Sequence, residues 1–265
     1  MRAGATTTPE NPPALAERAR AFDLSLFEGA ADQVVRDDLS TFFSTPSLPR
    51  VPHLHGVVAN APLDADEAEA LAEELLGSLP FRRLLAAAGD DALVAALVER
   101  GWREERVLVL ARGGDVEPPN AAMLAEEVPY GHVRGLRDEW IRSAPWAKGD
   151  EEVLDAHEAD RRMFSATPTR SFATFAQGRP LAYALLVDGG RDSMLEDVYT
   201  TPSARGRGLA TAVIAAVLHA ARAERHELVF VPTDAVGGAG PLYEKLGFEP
   251  AATLRWLIQS HPPEP

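Results

Sequence analysis

The chain contains no cysteine. That excludes disulfides, thiolate metal sites and a cysteine nucleophile, and it fits a reducing, cytoplasmic setting. Positive charge is also short: 26 Lys and Arg stand against 40 Asp and Glu, a net charge of −14. A nucleic-acid binder needs a basic footprint for phosphates, so that class is excluded, although one small basic pocket is not. No run approaches the roughly 18 apolar residues that span a bilayer, so no membrane association is expected. The opening MRAGATTTPENPPALAERAR lacks the apolar core and cleavage site of a secretory signal. Aromatic residues make up only 7% and are scattered, which suits core and cleft walls better than a base-stacking platform. The seven histidines form no spacing such as H-E-x-x-H. The nearest approach, His53-x-His55, reads as structural, and no metal is expected.

What the chain does have is an ordinary globular composition: 265 residues, 46% hydrophobic and 25% charged. A chain of this length buries a sizeable core without staples. Residues 1–22 are rich in Thr, Pro and Ala and read as a flexible tail. The stretch GGDVEPP at 113–119 combines Gly, Pro and acids and is the best linker. It divides the rest into domains at 23–118 and 119–265, both of plausible size.

The second part reads clearly. Asp150–Met163 is an amphipathic helix. Ser171–Ala176 alternates as a strand, Gln177–Pro180 turns, and Leu181–Val187 is an apolar strand. Ser193–Thr200 is a third strand. A glycine-bearing loop leads to a helix from about Arg207 to Arg222, with Ala210, Ile214, Val217, Leu218 and Ala221 on one face. Glu227–Val231 (ELVFV) is short and continuously apolar after its first residue, as a buried parallel strand is. Pro241–Leu246 is a short helix with Pro in its first turn and Gly247 just past its end. Thr253–Ile258 closes the chain as a strand. An antiparallel meander running into a βαβ crossover gives a mixed α/β sheet.

The first part echoes this faintly. His53–Val58 suits a strand, Asp64–Leu76 a helix, Asp91–Arg100 a helix ending at Gly101, and Arg106–Leu110 a strand; Phe81–Ala87 fits either a strand or a helical turn. LVAALVERGWREERVLVLA (Leu93–Ala111) and GPLYEKLGFEPAATLRWLI (Gly240–Ile258) share an order: helix, glycine, aromatic, acid, strand. This suggests an internal duplication. The acidic run LDADEAEALAEELL is most simply a solvated helix face.

The segment LEDVYTTPSARGRGLAT (Leu195–Thr211) carries the chemistry. A strand ends, Pro202 stops it, and Arg205-Gly206-Arg207-Gly208-Leu209-Ala210 opens a helix. Backbone N–H groups at such a turn, with the helix dipole behind them, form an anion site suited to a pyrophosphate. Arg205 and Arg207 add charge, and the small Ala210 lets the helix approach the strand. A plain glycine-rich turn is the alternative. A dinucleotide fingerprint fails at Thr211, where a third glycine is required, and a P-loop fails for want of a lysine after Gly208.

Arg205-x-x-Gly208-x-Ala210 resembles the acyl-CoA signature [RQ]-x-x-G-x-[GA] of the GNAT acetyltransferase superfamily. Val198–Leu218 looks like that family's central strand, pyrophosphate loop and helix. Leu242–Phe248 looks like its second signature, a tyrosine-bearing helix ending in Gly-Phe. The likeness covers about residues 126–265. The first part resembles a degenerate copy without the glycine loop, which implies a tandem member binding acyl-CoA in its C-terminal half alone. The implied fold is α/β (α+β), a mixed, mainly antiparallel sheet flanked by helices. The implied activity is direct transfer of acetyl from acetyl-CoA to an amine, without a covalent enzyme intermediate.

By that resemblance, the backbone at Val198, Tyr199 and Thr200 pairs with the acetyl and pantetheine arm. The Arg205–Thr211 backbone (Arg205, Gly206, Arg207, Gly208, Leu209, Ala210 and Thr211) holds the pyrophosphate, with the two arginines on or beside the phosphates. Tyr243 protonates or steadies the departing thiolate. Glu196 is the candidate general base, placed by strand alternation on the side of Val198 and Thr200, with Asp197 opposite. After the strand ELVFV the family often has an asparagine; here Thr233 or Asp234 would substitute, and Ala235–Gly240 makes the approach to Tyr243 flexible. The acceptor is a small-molecule or peptide amine, expected to be cationic because the net charge attracts it. Two other classes stay open, a catalytically inactive acyl-CoA-binding module and a structural protein with a relic loop. A homodimer also stays open.

Overall fold

The computed structural model describes residues 12–144, 147, 149–235 and 239–260. Helix α1 (Pro12–Ala30) leads into strands β1 (Gln33–Arg36) and β2 (Ser40–Ser44), a 3-10 turn at Pro52–Leu54 and β3 (Gly56–Ala59). Then follow α2 (Ala65–Leu76), β4 (Phe81–Leu85), α3 (Asp91–Glu99) and β5 (Arg103–Gly113). The second half comprises β6 (Glu126–Val128), α4 (Arg134–Ser143), α5 (Asp150–Ala166), β7 (Thr169–Ala176), β8 (Arg179–Asp188) and β9 (Ser193–Thr200). It closes with α6 (Leu209–Glu224), β10 (Leu228–Asp234), α7 (Gly240–Lys245) and β11 (Glu249–Ser260).

Of the expected tail, residues 1–11 lie outside the described residues, but 12–22 are helical. Pro12 and Pro13 suit a first helical turn, where the missing N–H costs nothing. Beyond them Ala19, Asp23, Leu26 and Ala30 are buried at helical spacing. The ambiguous 81–87 segment is a strand. The approach to α7 at 236–238 lies outside the described residues.

All the strands form one sheet, in the order β1-β2-β3-β4-β11-β5-β10-β9-β8-β7-β6. Only β3·β4 and β9·β10 run parallel; the other pairs are antiparallel. The boundary at 118/119 therefore divides the sequence but not the sheet. Each half lends its last strand to the other: β11 inserts between β4 and β5, and β5 between β11 and β10. The two strands cross near their middles, with Val107 opposite Leu254 and Leu108 opposite Thr253.

The two segments of similar order also end alike. Gly101 and Gly247 both end their helices at positive φ, +91° and +83°. Trp102 N donates to Leu97 O at 3.0 Å, and Phe248 N donates to Tyr243 O at 3.1 Å. Both aromatics are buried. A residue with a Cβ pays for the left-handed conformation, so glycine stands at both stops.

The helices cover the sheet on two faces. Helix α6 packs Val213, Ile214, Val217 and Leu218 on Leu186 and Leu195. On the opposite face α1 sets Ala19, Leu24 and Leu26 over residues of both halves, among them Val58, Leu85, Met194, Phe230 and Trp256. Arg18 of α1 pairs with Asp192 and with Glu227 (2.9 Å), tying the first helix to the second half.

Candidate functional site

The middle of the sheet is open. Strands β9 and β10 share a ladder only at Ser193/Val229 and Met194/Phe230. Beyond that point they part, while β10 stays on β5 as far as Asp234/Val107. Beyond Met194 the edge of β9 thus has no strand partner on the β10 side, and an extended ligand can complete it as an added strand does.

A bulge interrupts β9 at the start of this gap. Its register against β8 shifts between Leu185/Glu196 and Tyr183/Tyr199, and Asp197 takes φ +50°. A non-glycine residue rarely adopts that conformation. This corrects the strict alternation expected from sequence. Glu196 and Asp197 both face one cavity on the α1, α4 and α5 side of the sheet, while Val198 packs into the cluster beneath α6. The extra residue reverses the facing of everything after it, so Glu196 and Val198 lie on opposite faces. Tyr199 packs with Tyr183 and Leu136 on the α4 side.

The cavity has a volume of about 420 Å³. Both halves build it: Asp23 and Phe27 of α1, His53, Arg83 of β4 and Trp256 of β11 face Glu196, Asp197 and Arg137. Arg137 is buried and fully engaged. Its Nε and Nη2 donate to Asp160 at 2.9 Å each, and its Nη1 donates to Asp197 Oδ1 at 2.7 Å. Tyr130 also donates to Asp160, at 2.9 Å. This network anchors the bulge.

Burial raises the Glu196 carboxyl well above the usual carboxylate range; Asp197 and Asp23 add to the rise and Arg137 opposes it. Burial likewise raises Asp197 to about 6 against the pull of Arg137. His53 is lowered to about 4, first by burial and then by Arg83, so it is neutral at physiological pH. Tyr243 lies on the other side of the gap, 5% exposed, edge-on to Phe248 with 5.8 Å between ring centroids. Its phenol is pushed up first by burial and then by the charge of Glu196.

The loop after β9 forms a 3-10 turn at Pro202–Ala204 and then two left-handed glycines, Gly206 at φ +75° and Gly208 at φ +80°. Gly208 is the N-cap of α6, and no side chain caps the helix. The first amides of α6 thus lack a partner from a cap. A Cβ at either glycine meets nothing within 4 Å, so the space outside the turn is open. Leu209 is buried as an anchor, and Ala210 and Thr211 are half-buried. Arg205 and Arg207 are exposed and fold back on the loop: Arg205 Nε donates to Thr200 O (3.2 Å) and Arg207 Nη2 to Ser203 O (3.1 Å). Thr233 and Asp234 lie at the end of β10.

His55 is structural, as its sequence context suggested. It is buried, with Nδ1 2.9 Å from Ser44 Oγ and Nε2 3.0 Å from Leu48 O. Among the described residues, Asp188, Glu224 and His226 place ligand atoms within 4.8 Å of one another, and His226 already pairs with Glu224 at 3.0 Å. No helix among the described residues is long and apolar enough to cross a membrane.

Sequence reasoning did not find Asp23, Arg83, Arg137 or Asp160. An acid in the apolar stripe of α1 was the one local signal, for Asp23. The others depend on strand exchange and helix docking, which leave no spacing in the chain.

Comparison with known proteins agrees with this geometry. Residues 133–248 match the model of the acetyltransferase (GNAT) family. Among solved structures, a GCN5-related N-acetyltransferase from Kribbella flavida superposes with a TM-score of 0.66 at 21% identity, covering 93% of this chain and 97% of that one. A functionally unknown conserved protein from Staphylococcus epidermidis gives 0.71 at 9% identity, covering 88% and 95%. A tandem GNAT protein from the clavulanic acid biosynthesis pathway gives 0.56 at 13% identity, covering 88% and 83%. No curated protein sequence matches. The structural likenesses establish a GNAT-type fold, shared with a tandem GNAT protein, and residues 133–248 carry the match to the GNAT acetyltransferase family.

Proposed function

We propose that the protein is an N-acetyltransferase that moves an acetyl group from acetyl-CoA to an amine within a ternary complex. The observation that carries this reading is an uncapped α6 N-terminus beside a sheet gap that begins at a half-buried carboxylate, Glu196. The amides of residues 205–211 would take the pyrophosphate, with Arg205 and Arg207 turning outward from their loop carbonyls. The free edge of Val198, Tyr199 and Thr200 would take the pantetheine arm.

The amine enters the cavity on the α1 side. Glu196 accepts its proton, directly or through water, and the nitrogen attacks the thioester carbonyl. The C–N bond forms, the C–S bond breaks, Tyr243 gives its phenolic proton to the leaving sulfur, and the second proton that the nitrogen sheds on becoming an amide restores the phenol through water. A raised carboxyl pKa makes Glu196 a stronger base once ionised, which suits it to an ammonium donor. No covalent enzyme intermediate arises, and the rest of the rate gain comes from positioning. The catalytic unit is residues 119–265. Residues 23–118, the degenerate copy, supply part of the acceptor wall. The excess negative charge draws an amine-bearing acceptor to a cytoplasmic enzyme.

The test is acetyl-CoA-dependent thiol release across an amine panel, for the unmodified protein and Glu196→Gln. Amine-dependent release that falls about a hundredfold or more in the variant supports the reading. Acetyl-CoA binding without turnover of any amine would favour the inactive acyl-CoA-binding module instead.

A further inference from the structure

Within the acceptor cavity one charge is left over. Arg137 is committed to Asp160 and Asp197. Arg83 is not committed. It is 6% exposed, and its Nη1 has no hydrogen-bond partner. No salt bridge joins it to a carboxylate among the described residues. Its Cζ lies over the Trp256 ring, 3.4 Å from the centroid, with the Phe27 ring at 5.8 Å. Stacking fixes the plane of the group but satisfies none of its N–H donors. A buried guanidinium with an idle donor is costly in the empty protein, so its retention suggests a ligand that completes it.

Its position defines the ligand. Arg83 stands where the cavity meets a second one of about 400 Å³, and both include Arg83, His53, Arg137 and Trp140 in their walls. Neutral His53 offers no competing charge. Asp23 and Glu196 face the first cavity with no salt bridge to a described residue. Phe27, Val107 and Trp256 add apolar surface to the same cavity, and Asp23 is the first opposing charge that Arg83 feels, without a salt bridge between them. A planar guanidinium fork matches a carboxylate in bidentate fashion. A phosphate dianion would also have to face Asp23 and Glu196, which opposes it.

We infer that the acceptor is a zwitterion of amino-acid type, with its amine held by Glu196 and Asp23, an apolar body against Trp256, and a carboxylate paired with Arg83. This rests on the acetyltransferase reading and narrows its acceptor from amines in general to amino acids.

The experiment compares acceptors matched in body but not in carboxylate: leucine with isoamylamine, and phenylalanine with phenethylamine. For the unmodified protein the acid-bearing member should lead by about tenfold or more in kcat/KM, since a site built for a polar group rejects the analogue lacking it. Arg83→Met should erase that lead, mostly through KM. Arg83→Lys should restore part of it. Circular dichroism and melting confirm that both variants fold. A second readout needs no turnover: ligand-observed NMR of N-acetyl-leucine, with N-isoamylacetamide as control, against the unmodified protein and Arg83→Met. Binding of the carboxylate alone, lost in the variant, supports the inference even if no amine is acetylated; in that case the transferase reading fails and the assignment of Arg83 stands. Equal use of simple amines, or a preference unchanged in Arg83→Met, would overturn the inference.

Discussion

The two halves carry the same crossover, a parallel strand pair joined by a helix, and they finish the start of that helix in opposite ways. In the first half, β3 leads to α2 and pairs with β4 at Val57/Leu84 and Val58/Leu85. Asp64 caps α2 by accepting from Glu67 N at 2.8 Å, and Glu67 Oε2 accepts from Asp64 N at 3.1 Å. The protein's own carboxylates fill the anion site. In the second half, β9 leads to α6, pairs with β10 over two residues, and ends in a left-handed glycine with no side-chain cap. One helix start is closed by the chain; the other is left open. The next helices differ too. Four residues before the matched glycines stand Leu97, fully buried, and Tyr243, which has a phenol. On the proposed reading, a few differences at helix ends separate a scaffold half from a reactive half.

Changes in the second half should therefore remove chemistry, and equivalent changes in the first half should cost only stability. The largest expected effect is at Glu196. Glu196→Gln should lower kcat about a hundredfold or more and leave acetyl-CoA affinity unchanged. Because the carboxyl of Glu196 is raised and only its ionised form accepts a proton, kcat/KM of the unmodified protein should fall as pH drops. The variant's pH profile should lack that limb. Tyr243→Phe comes next. It should cost about tenfold to a hundredfold in kcat with an unchanged melting temperature, since the ring packing survives. A fall in stability without a fall in kcat would assign Tyr243 to packing, the role Leu97 plays in the other half. The smallest effect is in the closed half. Asp64→Ala should cost about 1 kcal/mol of stability by denaturant titration and leave acetyl-CoA affinity unaltered.

Much of the second half was legible in the sequence, because its signals are local. The glycine pair, the proline stops and the helical spacing of Ile214, Val217 and Leu218 each act within a few residues, and the strand at Ser193–Thr200 emerged with its predicted bounds. The bulge at Asp197 was not legible. Nothing in LEDVYT announces a left-handed aspartate, which Arg137 stabilises from α4, 60 residues away in the chain. The strand exchange was equally hidden, since β5 and β11 are plausible in either lobe. The acceptor wall followed it out of view: Arg83 and Trp256 meet only because β11 pairs with β4. Helix α1 was masked by a Thr- and Pro-rich lead that reads as tail, although its Ala19, Leu26 and Ala30 stripe was present.

The central claim is that the open start of α6 binds the pyrophosphate of acetyl-CoA. Calorimetric titration with acetyl-CoA, of the unmodified protein beside Gly208→Glu, tests it most directly. The position demands a left-handed backbone and faces open space, so the variant adds both strain and a negative charge where the anion should sit. The unmodified protein should bind in the micromolar range, weakened about a hundredfold or more in the variant. Absence of binding to the unmodified protein, or equal binding to both, would contradict it.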